Sequence, residues 1–183
     1  MLARVSKLAE STLNDALSQL MEAELVYRRG LPSELVYEFK HALVREAAYN
    51  SLLRSKRQQL HVEIARILEE QFPDAVAANP ELLSHHYQSA GLTERAIPYS
   101  LMAGDIATSR YASTEAGAHY QAALEMANAL AASATAARSR IEAILKLASV
   151  STRRDQYERD LRNLQEARRL AEGSGSQEQL CRV

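Results

Sequence analysis

The chain has 183 residues, enough for one ordinary domain or two small ones with a buried core. A net charge of -1 supplies no general attraction to nucleic acid or to an acidic membrane surface. No apolar run approaches the roughly 18 residues of a membrane-spanning helix, and Lys7, Glu10 and Asp15 interrupt any signal-peptide pattern at the start. Cys181 is the one cysteine, which excludes an internal disulfide framework and makes the reducing cytoplasm the expected compartment. Six glycines and four prolines leave long Ala- and Leu-rich stretches uninterrupted, the composition of a helical protein.

Residues 11–24 carry Leu13, Ala16, Leu17, Leu20 and Met21 on one helical face, with Thr12 and Asp15 as a capping box. The periodicity then changes. Leu25-Val26-Tyr27 is β-prone, Arg28-Arg29-Gly30-Leu31-Pro32-Ser33 reads as a charged turn, and Val36-Tyr37-Glu38-Phe39 alternates with period two. A helix followed by a two-stranded hairpin is how a winged-helix domain ends. Helical pattern returns from about His41 to Arg54 (Val44, Ala47, Ala48, Leu52) and again through Leu60, Ile64, Ile67 and Leu68, stopping before Phe72-Pro73. Residues 73–79 read as a linker. Asn79-Pro80-Glu81 reads as an Asn cap, a first-turn proline and an acid suited to the helix dipole. Leu83, His86, Tyr87 and Ala90 share a face, and Gly91 supplies a left-handed stop.

Helices of similar length follow at about 93–110, 113–131, 134–151 and 155–172. Glu94-x-Ala96-x-x-Tyr99-x-x-x-Ala103 recurs loosely from Glu115 to Leu124, and Gln121–Ala127 echoes Gln165–Ala171. Small alanines at fixed places, with Tyr or Leu between them, are the pattern of a helical-hairpin solenoid in which each hairpin buries its face against the next. Pro98 falls inside the first of these helices and is expected to kink it or delay its start. Gly173-Ser174-Gly175-Ser176 reads as a loop, and the remainder to Val183 as a helix barely begun.

Ala23–Gly30, Tyr37–Leu53, Gln59-Leu60-His61, Pro80–Tyr87 and Ala90-Gly91 together resemble a family of large bacterial signal-transduction ATPases of the AAA type, often fused to class III adenylate or guanylate cyclase domains. The resemblance covers roughly residues 1–130. It implies the order cyclase, P-loop ATPase, winged helix, tetratricopeptide-like repeats, with this chain matching only the last two. No Gly-x-x-x-x-Gly-Lys-Ser/Thr loop occurs, and no cyclase-like pair of aspartates, so no nucleotide-binding or catalytic role carries over to any residue here. The resemblance and the abrupt pattern at both ends make a piece of a longer protein the expectation.

Single residues point the same way. Glu81 and His85 at i, i+4, with His86, His41 and His61 elsewhere, lack convergent metal-ligand spacing. Lys40-His41 lacks a nucleophile or carboxylate to work with. Catalytic, cofactor and metal residues are therefore not expected. Up to residue 72, Lys/Arg and Asp/Glu are equal at ten each, and the helix at 11–24 holds Asp15, Glu22 and Glu24 with no base, the wrong bias for a DNA groove. Tyr99, Tyr111, Tyr120 and Tyr157, with the basic residues Arg153 and Arg154, are the candidate contacts for a protein or peptide partner.

The expected fold is thus mainly α: the end of a winged helix at 1–40, a helical connector at 41–72, the linker 73–79, repeats at 80–172, and a loop with a truncated helix at 173–183. The expected role is a non-catalytic regulatory arm, its repeats sensing a protein partner or ligand and its winged helix contacting an ATPase module. The alternatives are a DNA-binding regulator and a stand-alone repeat adaptor.

Overall fold

A computed structural model describes residues 2–30, 35–151 and 157–174. The chain is mainly α-helical, with one two-stranded antiparallel sheet among the described residues. Among the described residues the order is α1 (Leu2–Ser6), α2 (Glu10–Glu22), β1 (Val26–Arg29), β2 (Val36–Phe39), α3 (Ala42–Ser51), α4 (Arg54–Gln71), α5 (Pro73–Ala78), α6 (Glu81–Ser89), α7 (Thr93–Ser109), α8 (Ser113–Ala129), α9 (Ala134–Val150) and α10 (Tyr157–Ser174). Two units form, Met1–Ile67 and Leu68–Val183, and the division falls inside α4.

In the first unit α2 starts earlier than the capping box requires. Ala9 is the N-cap residue and offers no side-chain bond, so Thr12 sits within the first turn, where it cannot cap. The helix ends with Glu24 at φ 54, its successor Leu25 N–H donating to Leu20 O at 3.0 Å, a Schellman stop built without glycine. The hairpin pairs Val26 with Phe39 through Arg29 with Val36. Arg28 and Arg29 therefore belong to β1 and not to the turn. Glu38 accepts from the Tyr27 hydroxyl directly opposite and faces Arg29 at 3.6 Å, while Lys40 reaches Glu24 at 2.5 Å at the base of the hairpin. On α3 and α4 the Tyr49 hydroxyl lies 3.0 Å from His61 Nε2, and Arg57 sits over the Tyr49 ring while donating to Asn50 Oδ1 at 3.1 Å. Neither α2 nor α3 holds a fully buried residue, and Leu43 is 79% exposed.

In the second unit the stretch 73–79 is not an open linker: α5 occupies most of it, with Pro73 at the helix start, where the missing N–H costs nothing. Asn79 terminates α5, its side-chain amide donating back to Ala75 O at 3.4 Å, so it does not cap α6. Pro80 holds helical dihedrals and opens that turn. Helix α7 begins at Thr93 and runs through Pro98, so its start is not delayed; the lost acceptor partner is that of exposed Glu94, near the helix end.

From α6 to α10 each helix packs chiefly on its neighbour in sequence, and α7 also touches α9. The interior is built from Ala96, Ala116, Ala123, Ala127, Ala143 and Ala167, all essentially inaccessible, with Leu83, Ile97, Ile141 and Ile144 between them. Small residues let helix axes approach, and the apolar area removed from water at about 25 cal/mol per Å² drives the stacking. Arg140 on α9 closes the C-terminus of α8, donating to Ala127 O at 3.1 Å and Leu130 O at 3.3 Å.

The turns at Gly91 (φ 80) and Tyr111 (φ 60) share one bond pattern, Leu92 N–H to Tyr87 O at 2.8 Å and Ala112 N–H to Ala107 O at 2.9 Å. Glycine suits that conformation, whereas a tyrosine there is strained. Tyr111→Gly is therefore expected to stabilise the second unit by about 0.5–1 kcal/mol, seen as a higher urea midpoint at unchanged slope.

Candidate interaction site

The tyrosines proposed as partner contacts are distributed very differently by the fold. Tyr120, on α8, is 2% exposed. Its hydroxyl donates to Asp105 Oδ1 at 2.8 Å and lies 3.1 Å from Thr108 Oγ1, and its ring fills the space left by the missing side chain of Gly104 on α7. A Cβ at Gly104 would stand 2.6 Å from Tyr120 Cδ1 and 2.8 Å from Cζ, and nearer still to Cε1. Lys146 of α9 joins the group, meeting Asp105 at 2.6 Å with its ammonium 5.8 Å from the ring centre. Burial first, then the Asp105 carboxylate, push the Tyr120 hydroxyl above its ordinary pKa, with Thr108 opposing. Tyr120 is thus a clasp across α7, α8 and α9, and its assignment as a partner contact is corrected on that ground.

Tyr99, on α7, is also committed. Its hydroxyl donates to Glu69 Oε1 at 2.6 Å, in the last turn of α4, and its ring stacks on Tyr87 of α6 at 5.9 Å. Arg95 donates to Glu69 Oε2 at 3.1 Å and lays its guanidinium 4.3 Å from the centre of the Tyr87 ring. Burial opposes the charge on Glu69, but the tyrosine hydroxyls and Arg95 outweigh it and hold the carboxyl below its usual range. The Tyr99 hydroxyl is pushed up to about 12, by burial and then by the carboxylate. The Tyr87 hydroxyl moves the same way for the same reasons. Glu69 is near enough to act on it electrostatically, yet the Tyr87 oxygen is buried and meets no hydrogen-bond geometry with any described residue.

Tyr111 is the candidate that remains open. It stands 95% exposed in the strained turn between α7 and α8, beside exposed Arg110. Arg153, Arg154 and the Tyr157 side chain lie outside the described residues, as does everything from 175 onward, while Gly173 and Ser174, expected in a loop, continue α10. Of the residues weighed for chemistry, Lys40 is occupied by Glu24 and His41 is exposed at the start of α3. His85 is exposed and His86 half-buried, their rings edge to face with centroids 5.3 Å apart. Glu69, Arg95, Asp105, Lys146 and Arg140 went unnoticed in the sequence because their partners are remote: Arg95 meets Glu69 across 26 positions and Lys146 meets Asp105 across 41. Among the described residues no helix is long and apolar enough to cross a membrane.

No family model matches the chain, and no solved structure does. It is similar to the uncharacterized protein R02095 of Rhizobium meliloti (strain 1021), with 30% identity over 141 residues, 77% of the chain. The chain spans only 14% of that relative's length.

Two outcomes test the clasps. Gly104→Ala forces a methyl against a ring held by Asp105 and Thr108, and a loss of about 1–3 kcal/mol is expected in denaturant melts. For the Glu69 group the signs differ by group. The raised pKa of Tyr99 contributes stability present below its unfolded value near pH 10, which fades as pH rises toward about 12. The lowered pKa of Glu69 contributes stability present above its reference of 4.5 and lost as pH falls below it. Tyr99→Phe should cost about 1 kcal/mol at neutral pH and flatten the fall in melting temperature above pH 10; an unaltered alkaline limb would show that this bond is not formed.

Proposed function

We propose that the chain is a non-catalytic interaction segment of a larger signalling protein, its helical array serving as a tetratricopeptide-like scaffold for a protein or peptide partner. The observation that carries this reading is the stacking of α6 to α10, each helix on the next, with buried and half-exposed polar side chains spent on helix-to-helix clasps. Side chains so committed hold a surface in shape, which is what a binding scaffold requires. Tyr111 is the exposed aromatic through which that surface meets its partner.

The hairpin unit, on the family resemblance, would contact a nucleotide-binding module elsewhere in a cytoplasmic parent protein. Partner binding to the array would shift the balance between two arrangements of that module. A parent much longer than this chain fits the small share of R02095 that it spans.

Cross-linking with mass spectrometry on the chain in cell extract, followed by purification of the captured protein, tests the scaffold. A partner is expected to bind the purified chain directly and to lose at least tenfold in affinity, about 1.4 kcal/mol, with Tyr111→Ala. Binding of Mg-ATP by the isolated chain, or a salt-dependent complex with duplex DNA, would replace this reading with a nucleotide-handling or DNA-binding one.

A further inference from the structure

The outer edge of β2 is a self-complementary surface. Lys40 N–H donates to Leu25 O at 2.9 Å, and the register sets these two residues opposite each other. Hydrogen-bonded pairs alternate along an antiparallel ladder, so Val36, Glu38 and Lys40 turn their backbone groups toward β1. Tyr37 and Phe39 turn theirs away, and no described residue pairs with them. Leu35, Tyr37 and Phe39 also share one face of the strand, with Leu35 and Phe39 each 40% exposed. That face has no lysine, proline or bulge, the devices by which solvent-facing edges discourage further pairing. A cleft of about 350 Å³ lined by Tyr37, Glu38, Phe39, Ala42 and Arg45 adjoins the strand and leaves room beside it.

We infer that the occupant of this edge is a second copy of the same strand, giving a two-fold, four-stranded sheet. A two-fold contact requires a patch that matches itself, and this one does. With the axis at Tyr37, the outward N–H and C=O of Tyr37 exchange bonds with those of the copy, Phe39 falls opposite Leu35, and Glu38 falls opposite Val36. Every pair on the Tyr37 face is apolar, and no like charges meet. Moving the axis to Glu38 would set two carboxylates against each other, and those carboxylates already serve Tyr27 and Arg29 within each hairpin. One strand pair buries well under the about 1,200 Å² of a standard interface, so the dimer is a weak one that dissociates on dilution.

Sedimentation equilibrium of the full chain over a concentration series tests this, with a mass that rises toward twice that of the monomer expected. Phe39→Lys should return the chain to a monomer without changing its circular dichroism. In a Cys181→Ser background, Tyr37→Cys should cross-link readily under mild oxidation, since directly opposed hydrogen-bonded residues lie about 5.5 Å apart at Cα, within disulfide reach. Glu38→Cys should cross-link poorly, being offset from its own copy. A chain that stays monomeric at every concentration overturns the inference. So does a dimer that survives Phe39→Lys, or faster cross-linking at position 38 than at 37.

Discussion

The second unit depends on a tyrosine ring lying where a helix has no side chain. Gly104 leaves α7 bare at one point, and Tyr120 of α8 enters there so fully that even a methyl group would collide with it. The ring then carries its hydroxyl to Asp105, and Asp105 in turn holds Lys146 of the next helix but one. The Tyr120 hydroxyl is buried and would be costly if unsatisfied, and the half-exposed Asp105 carboxylate that accepts from it also pairs with Lys146, so the same groups link the three helices in one register. The direct approach of α7 to α9 follows from that arrangement.

The same logic recurs at the start of the array, with different residues. Glu69 collects Tyr99 and Arg95, and Arg95 covers the ring of Tyr87. Both clusters use an acid from one helix to order aromatic groups on others, and both spend tyrosines that sequence inspection would offer to a partner. What they leave for recognition is correspondingly small. Tyr111 projects from a turn whose geometry favours glycine, and nothing in the packing of α7 or α8 requires an aromatic there. Side chains kept at a cost in backbone strain are common where a surface has a task.

The first unit obeys another constraint. Its helices α2 and α3 bury no residue fully, and its sheet has two strands. A hairpin of that size is marginal alone, and here it is held at its base by Lys40 and Glu24 and across its width by Tyr27, Glu38 and Arg29. The apolar side chains of β2 that remain exposed are the counterpart of this small core.

The sequence by itself determined the hairpin, the longer helices and their order, but not the short helices α1 and α5. The helices from α7 to α9 lie within one or two residues of their expected limits, because alanine-rich amphipathic periodicity and turn residues act over a few positions. The same local signals also produced Gly91 as a left-handed stop. Where a local signal failed, a nearby alternative had won. Helix α2 began before Thr12 could cap it, Asn79 bonded backward to Ala75, and Pro73 opened a short helix in place of a linker. Only the tertiary structure decided which tyrosines are core and which are surface. Tyr99, Tyr111 and Tyr120 look alike in the chain, each within or beside a helix, and their fates depend on Glu69, on a left-handed turn, and on Gly104 with Asp105. Those partners are brought near only when the helices stack, so no pattern along the chain could have told them apart.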